Sequence, residues 1–236
     1  MTWDGLPSAG VPDPHVGPEA RTARGLLSDS GRVEAFSDGV LAIVITLLVL
    51  DLRAPHRSGH MLHQLLQQWP AYLAYLASFG YVGVIWVNHH QLFTRIDSVD
   101  SGLLWRNLAL LLLTSVLPFP TAVVSSAFEH GDRADEVTAL VFYGLEASLM
   151  ALTWLLLFRY LSANEHLLAR GTSPAFFVLE RGRALLGVLA YLVAAAVAPW
   201  EPLASLLILV MLPVFYGLTS SGWAGLRGAS RRMRAG

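Results

Sequence analysis

Few side chains in this sequence could carry out chemistry, and they sit inside or beside long apolar runs. His89 and His90 are adjacent at the end of one run, a pair suited in type to a metal ion or a proton switch. The plainer reading is a hydrogen-bonded structural element, because no His-x-x-His-His box accompanies them. His56, His60 and His63 are spaced by four and three, which would put them on one face and let them hold zinc if that segment were helical. Nothing nearby offers a fourth ligand. Glu146 is the only ionisable residue near the middle of its apolar segment. An intramembrane carboxyl there fits either a proton carrier or a protonated group hydrogen-bonded between packed helices. No nucleophile and base fall into a catalytic arrangement, so the chain does not read as an enzyme. Neither a cofactor nor a metal is expected.

Ser37 and Asp38 have two readings. Ser followed by Asp near a helix start commonly caps that start. Alternating membrane spans would instead bring Trp86, Asn88, His89 and His90, at the end of a second span, and Arg106 and Asn107, at the start of a third, to the depth of Asp38. A carboxylate inside a bilayer costs about 2.5 to 3.5 kcal/mol at the centre and less toward the edge. An imidazole, amide or guanidinium neighbour is therefore expected, and such a cluster would hold the first helix in register.

The elements that must position these groups are membrane helices. With 54% hydrophobic and only 14% charged residues in 236, the chain is too apolar for an ordinary soluble domain and too short for two membrane domains. A net charge of -1 argues against a nucleic-acid partner. The absence of cysteine rules out disulfides and thiolate metal sites. The stretch from Arg32 to Leu52 is long enough to cross roughly 30 Å of hydrocarbon. Further apolar segments cover about 69–89, 103–128 (interrupted by Pro118-Phe119-Pro120), 137–158, 184–199 and 203–220. The expected fold is an all-α integral membrane protein of six transmembrane helices over 29–221. A disordered cytoplasmic tail over 1–28 and a basic cytoplasmic tail over 222–236 flank it. A polar loop over 53–68 and a long polar connection over 159–183 join spans. Ala190, Ala194 and Ala198, four apart, suggest a close-packing face. Orientation follows from arginine: an N-terminus in the cytoplasm leaves only Arg53, Arg57 and Arg133 of the 16 arginines outside, so both ends face the cytoplasm.

The first span also carries a motif. Arg32-x-x-x-Phe36-Ser37-Asp38, followed directly by the apolar run, resembles the signature of the transmembrane protein 175 family of potassium channels. Only one copy occurs, as in the shorter prokaryotic members, whereas the animal members carry two six-helix repeats. The resemblance implies a multi-pass protein of the prokaryotic cell membrane, passing potassium ions, assembled as a homotetramer and surrounded by lipid. It implies further that the first helix lines the pore and that the position five residues after the motif aspartate, Ile43, forms the narrow ring, with Leu47 and Leu50 further out. At about 100° per residue, Phe36, Ile43, Leu47 and Leu50 fall on one stripe, with Thr46 offset to the side as a weaker candidate ligand. On a generic membrane helix such a stripe would pack against neighbours or lipid. Repeated around an axis, it would form an apolar constriction able to gate by drying. The chain has no Thr-Val-Gly-Tyr-Gly carbonyl filter. Arg32 falls close to the same line and would repel cations, unless the helix starts after it or its side chain turns to an acid such as Glu34 of a neighbour. A proton-coupled secondary transporter using Glu146 stands as the alternative function.

Overall fold

The computed structural model describes residues 28–52, 54 and 60–219. The expected tails therefore lie outside it, apart from Ser28, and so does His56. Helix α1 (Ser30–Leu47) continues through a 3-10 turn to Asp51. Its buried residues Val33, Ser37, Leu41, Val44 and Leu48 recur at helical spacing and form one stripe, which packs on α3 (Trp69–Phe93) and α4 (Ser101–Val116). Between α1 and α3 the segment expected as a polar loop contains a short helix, α2 (Met61–Gln67), which has no buried residue. There His63 Nε2 bonds to the Gln67 side chain at 2.9 Å, and among the described residues no three potential metal ligands come together.

Helix α4 begins where the Asp100 carboxylate accepts the Leu103 N–H at 2.8 Å, a side-chain cap. It breaks at Leu117, ahead of Pro118, and resumes as α5 (Pro118–His130). Gly131, at φ 69°, ends α5 in the left-handed conformation that glycine adopts without strain. Asp132 then caps α6 (Arg133–Ala163), the central helix, which packs most extensively on α7 (Pro174–Val197) and also on α4, α5 and α8 (Pro202–Thr219). The long connection expected over 159–183 is thus much shorter: α6 runs past Arg159 to Ala163, and α7 already starts at Pro174. Burying Glu180 against Arg183, at 2.8 Å, lets those charged residues sit inside a helix.

Ala194 and Ala198 are completely buried and Ala190 partly so, as the four-residue spacing suggests. The close approach has a partner on α6: a Cβ on Gly144 would lie 3.0 Å from the Ala195 Cβ and 3.1 Å from the Tyr191 carbonyl oxygen. Among the described residues, five helical segments are long and apolar enough to cross a membrane: Ser30–Asp51, Trp69–Phe93, Ser101–Glu129, Arg133–Ala163 and Pro202–Thr219. α7 has comparable length, but Glu180, Arg181 and Arg183 charge its first half.

One end of the bundle gathers the polar helix ends. Strand β1 (Ser28–Asp29) pairs antiparallel with β2 (Ser98–Val99), so the first residue of β1, expected in a disordered tail, is tied to the α3–α4 connection. Tyr160 donates to the Asp100 carboxylate at 2.6 Å, and the Arg95 guanidinium lies 4.3 Å from the centre of the Phe176 ring. Burial pushes the Asp100 carboxyl up, but the hydrogen bonds from Tyr160 and the Leu103 N–H outweigh it and hold the group below its ordinary value.

Candidate functional site

Two features of α1 stand out: a stripe that the described helices leave open, and a ladder of polar contacts beside it. Ile43 is 60% exposed, Leu47 41% and Leu50 72%, with Phe36 also exposed. This stripe lies roughly 110° round the helix from the buried Val33–Leu48 stripe. Thr46 is exposed too, and its hydroxyl donates to the Ile43 carbonyl at 2.8 Å. Its proton is therefore spent, and the lone pairs that remain have the polarity to face a cation.

The ladder has three rungs. Glu34 Oε1 meets His90 Nδ1 at 2.8 Å, and Asp38 Oδ1 accepts the Trp86 indole N–H at 3.0 Å. Between them the buried Ser37 donates to the Val33 carbonyl at 2.8 Å and accepts from Asn107 Nδ2 at 2.9 Å. The Asn107 Oδ1 lies 3.0 Å from His89 Nε2. Polarity runs one way along this chain. With its hydroxyl proton on Val33, Ser37 can only accept, so Asn107 presents its NH₂ to Ser37 and its oxygen to His89, and the proton of His89 sits on Nε2. His89 is completely buried and stacks on Phe93 at 4.4 Å, while its Nδ1 has no partner among the described residues.

The residues expected to cluster around Asp38 separate into distinct sets. Trp86 reaches Asp38, His89 and Asn107 serve Ser37, and His90 turns outward to Glu34. The adjacent histidines thus point to different partners and share no ligand. Asn88 faces another way, into a cavity of about 60 Å³ that also borders Glu180, Arg183 and Tyr216. Arg106 donates to the Gly102 carbonyl at 2.8 Å and stacks 3.9 Å over the Tyr160 ring. Arg32 is exposed, and because the helix starts at Ser30 it lies within α1. Glu34, offered above as a possible partner for Arg32, is engaged by His90 of its own chain. The register sum carries the signal for the outer rungs: 34 plus 90 equals 38 plus 86, as expected for two antiparallel helices.

Glu146 lies away from this site, on α6. It is 6% exposed, and neither carboxyl oxygen has a hydrogen-bond partner among the described residues.

The sequence profile of the endosomal/lysosomal potassium channel TMEM175 family matches residues 32–118, which contain the open stripe and all three rungs. A potassium channel of Streptomyces collinus is 39% identical over 193 residues, covering 81% of this chain and 93% of that one. A potassium channel of Chamaesiphon minutus is 38% identical over 147 residues, 61% of this chain and 71% of its own length. Among solved structures, the crystal structure of a lysosomal potassium-selective channel TMEM175 homolog from Chamaesiphon minutus superposes with a TM-score of 0.70 at 32% identity, over 80% of this chain and 96% of that one. Motif, helical architecture and near full-length similarity agree: this chain is a member of the TMEM175 family, of the single-repeat prokaryotic type.

Proposed function

We propose that the chain is the subunit of a potassium-permeable channel whose pore is lined by α1, with Ile43, Leu47 and Leu50 stacking as aliphatic rings and Thr46 offering hydroxyl oxygen beside them. One observation carries this reading. The ladder anchors one side of α1 to α3 and α4, while the neighbouring apolar stripe remains uncovered by the described helices of its own chain. One α1 cannot surround an axis, so the pore requires several copies, and a homotetramer is the assembly proposed. Ion flow is then passive, and an apolar ring gates it by wetting and drying. The similarity to bacterial proteins named potassium channels supports the choice of ion.

Planar-bilayer recording of the purified protein with asymmetric potassium and sodium tests the proposal. It predicts electrical dissipation of a potassium gradient and a changed conductance or ion preference in Ile43→Asn. Saturable, pH-driven uptake lost in Glu146→Gln and untouched by Ile43→Asn would favour the transporter instead.

A further inference from the structure

A cavity of about 490 Å³ opens between the end of α6 and the start of α7, at the end of the bundle that holds the β1–β2 pair. Arg170 and Arg181 both line it, and among the described residues neither guanidinium has a hydrogen bond, an ion pair or a ring contact. That distinguishes them from Arg95, Arg106 and Arg183, which are all engaged with protein groups. Two hydroxyls of the lining cannot donate into the space, because Ser162 donates to the Phe158 carbonyl and Thr172 to the Ala169 carbonyl. The free side-chain donors are thus the two guanidinium forks, a geometry that matches phosphate oxygens. Glu165 also borders the cavity, leaving a side-chain charge of two positive minus one negative, or +1. From this lining an apolar track leads along α7: Val178 is 60% exposed, and Leu179, Leu186 and Leu189 continue it.

We propose that this cavity binds the phosphodiester headgroup of an anionic phospholipid of the cytoplasmic leaflet, with the acyl chains lying along α7. Guanidinium forks would hold any phosphate, free or lipid-borne, but the apolar track is useful only to a molecule with chains. Net charge selects a singly negative headgroup over a zwitterionic one. The inference uses the arginine-based orientation of the chain and is independent of whether α1 lines a pore.

Native mass spectrometry of the intact assembly in detergent, titrated with phosphatidylglycerol, phosphatidylcholine or inorganic phosphate, tests it. Phosphatidylglycerol should bind most tightly. Arg170→Gln and Arg181→Gln should each weaken it about fivefold, and the double variant about 25-fold, the effect of removing one or two arginines from an anionic membrane surface. Arg159→Gln removes an exposed arginine of α6 that does not line the cavity and should leave binding unchanged. Equal binding of phosphatidylcholine, full affinity in the double variant, or an equal loss in Arg159→Gln would overturn the site. Inorganic phosphate competing at comparable affinity would overturn its assignment to a lipid. Potassium flux of the same variants, measured alongside, shows that the assembly is intact.

Discussion

Replacing Asn107 by alanine removes a side chain that joins α1, α3 and α4. Two interhelical hydrogen bonds go with it, to Ser37 and to His89. In membrane proteins such bonds are worth about 0.6 kcal/mol on average and up to about 1.7. His89 is completely buried, so its Nε2–H is left without its acceptor, at a cost of about 1 to 3 kcal/mol. The sum is roughly 2 to 4 kcal/mol, or about 30- to 700-fold in the folding equilibrium. Of these two bonds Ser37→Ala breaks only the first, together with the hydroxyl's local bond to the Val33 carbonyl, and it leaves the buried Asn107 amide without that acceptor, at a cost of about 1 to 3 kcal/mol. In the Asn107→Ala background it should cost clearly less, because the interhelical bond is already absent and only the local bond to Val33 is left to lose. Reversible unfolding in mixed detergent micelles, followed by tryptophan fluorescence, measures all four corners of this cycle. Equal effects of Ser37→Ala in both backgrounds would show that the chain of bonds does not hold the helices together.

Asp38→Asn keeps an oxygen to accept the Trp86 N–H, whereas Asp38→Ala does not; potassium flux should survive better in the first than in the second. Gly144→Ala should destabilise by about 1 to 3 kcal/mol from overpacking against Ala195 and Tyr191, partly offset by about 1 kcal/mol of helix propensity. Gly80→Ala, where a Cβ meets nothing within 4 Å, should gain stability in the same unfolding assay. For Asp100 the sign follows from its lowered value: the stabilisation is present above the ordinary carboxylate range and lost as pH falls through the folded value. Tyr160→Phe should therefore lower stability at pH 7, with the difference from the parent shrinking below about pH 4; a gap that widens on acidification would contradict the assignment.

The membrane helices and the motif were legible in sequence because both are local patterns, a long apolar run and four residues within about two turns. The open stripe was legible for the same reason, since helical geometry alone places Ile43, Leu47 and Leu50 together. The division of polar partners was not, because it depends on where the side chains of three helices point. Asn88 and His89 are neighbours in sequence but 100° apart on α3, so one borders the Glu180 cavity while the other enters the ladder. The extent of α7 was hidden by composition: Glu180, Arg181 and Arg183 read as loop until Glu180 and Arg183 are seen to pair and Arg183 to donate to the Tyr216 carbonyl and the Thr219 hydroxyl.

The three rungs do different work in setting α1 on its neighbours. Glu34 and Asp38 are both acidic and one turn apart, so a slide of α1 by four residues, about 6 Å, would present Asp38 to His90 and leave that rung intact in kind. The buried rung does not permit the substitution. The same slide would set Leu41 in place of Ser37 against Asn107, and a slide the other way would set Val33 there, so either leaves a buried amide facing an aliphatic side chain. A shift of one residue would break every rung and turn Ile43 through 100°. The outer contacts thus draw α1 against α3, while Ser37 and Asn107 select among the positions those contacts would accept. On the proposed reading, both the depth of Ile43 and the direction it faces would follow from that selection, with a pair of small buried polar side chains setting an aliphatic stripe that they do not touch.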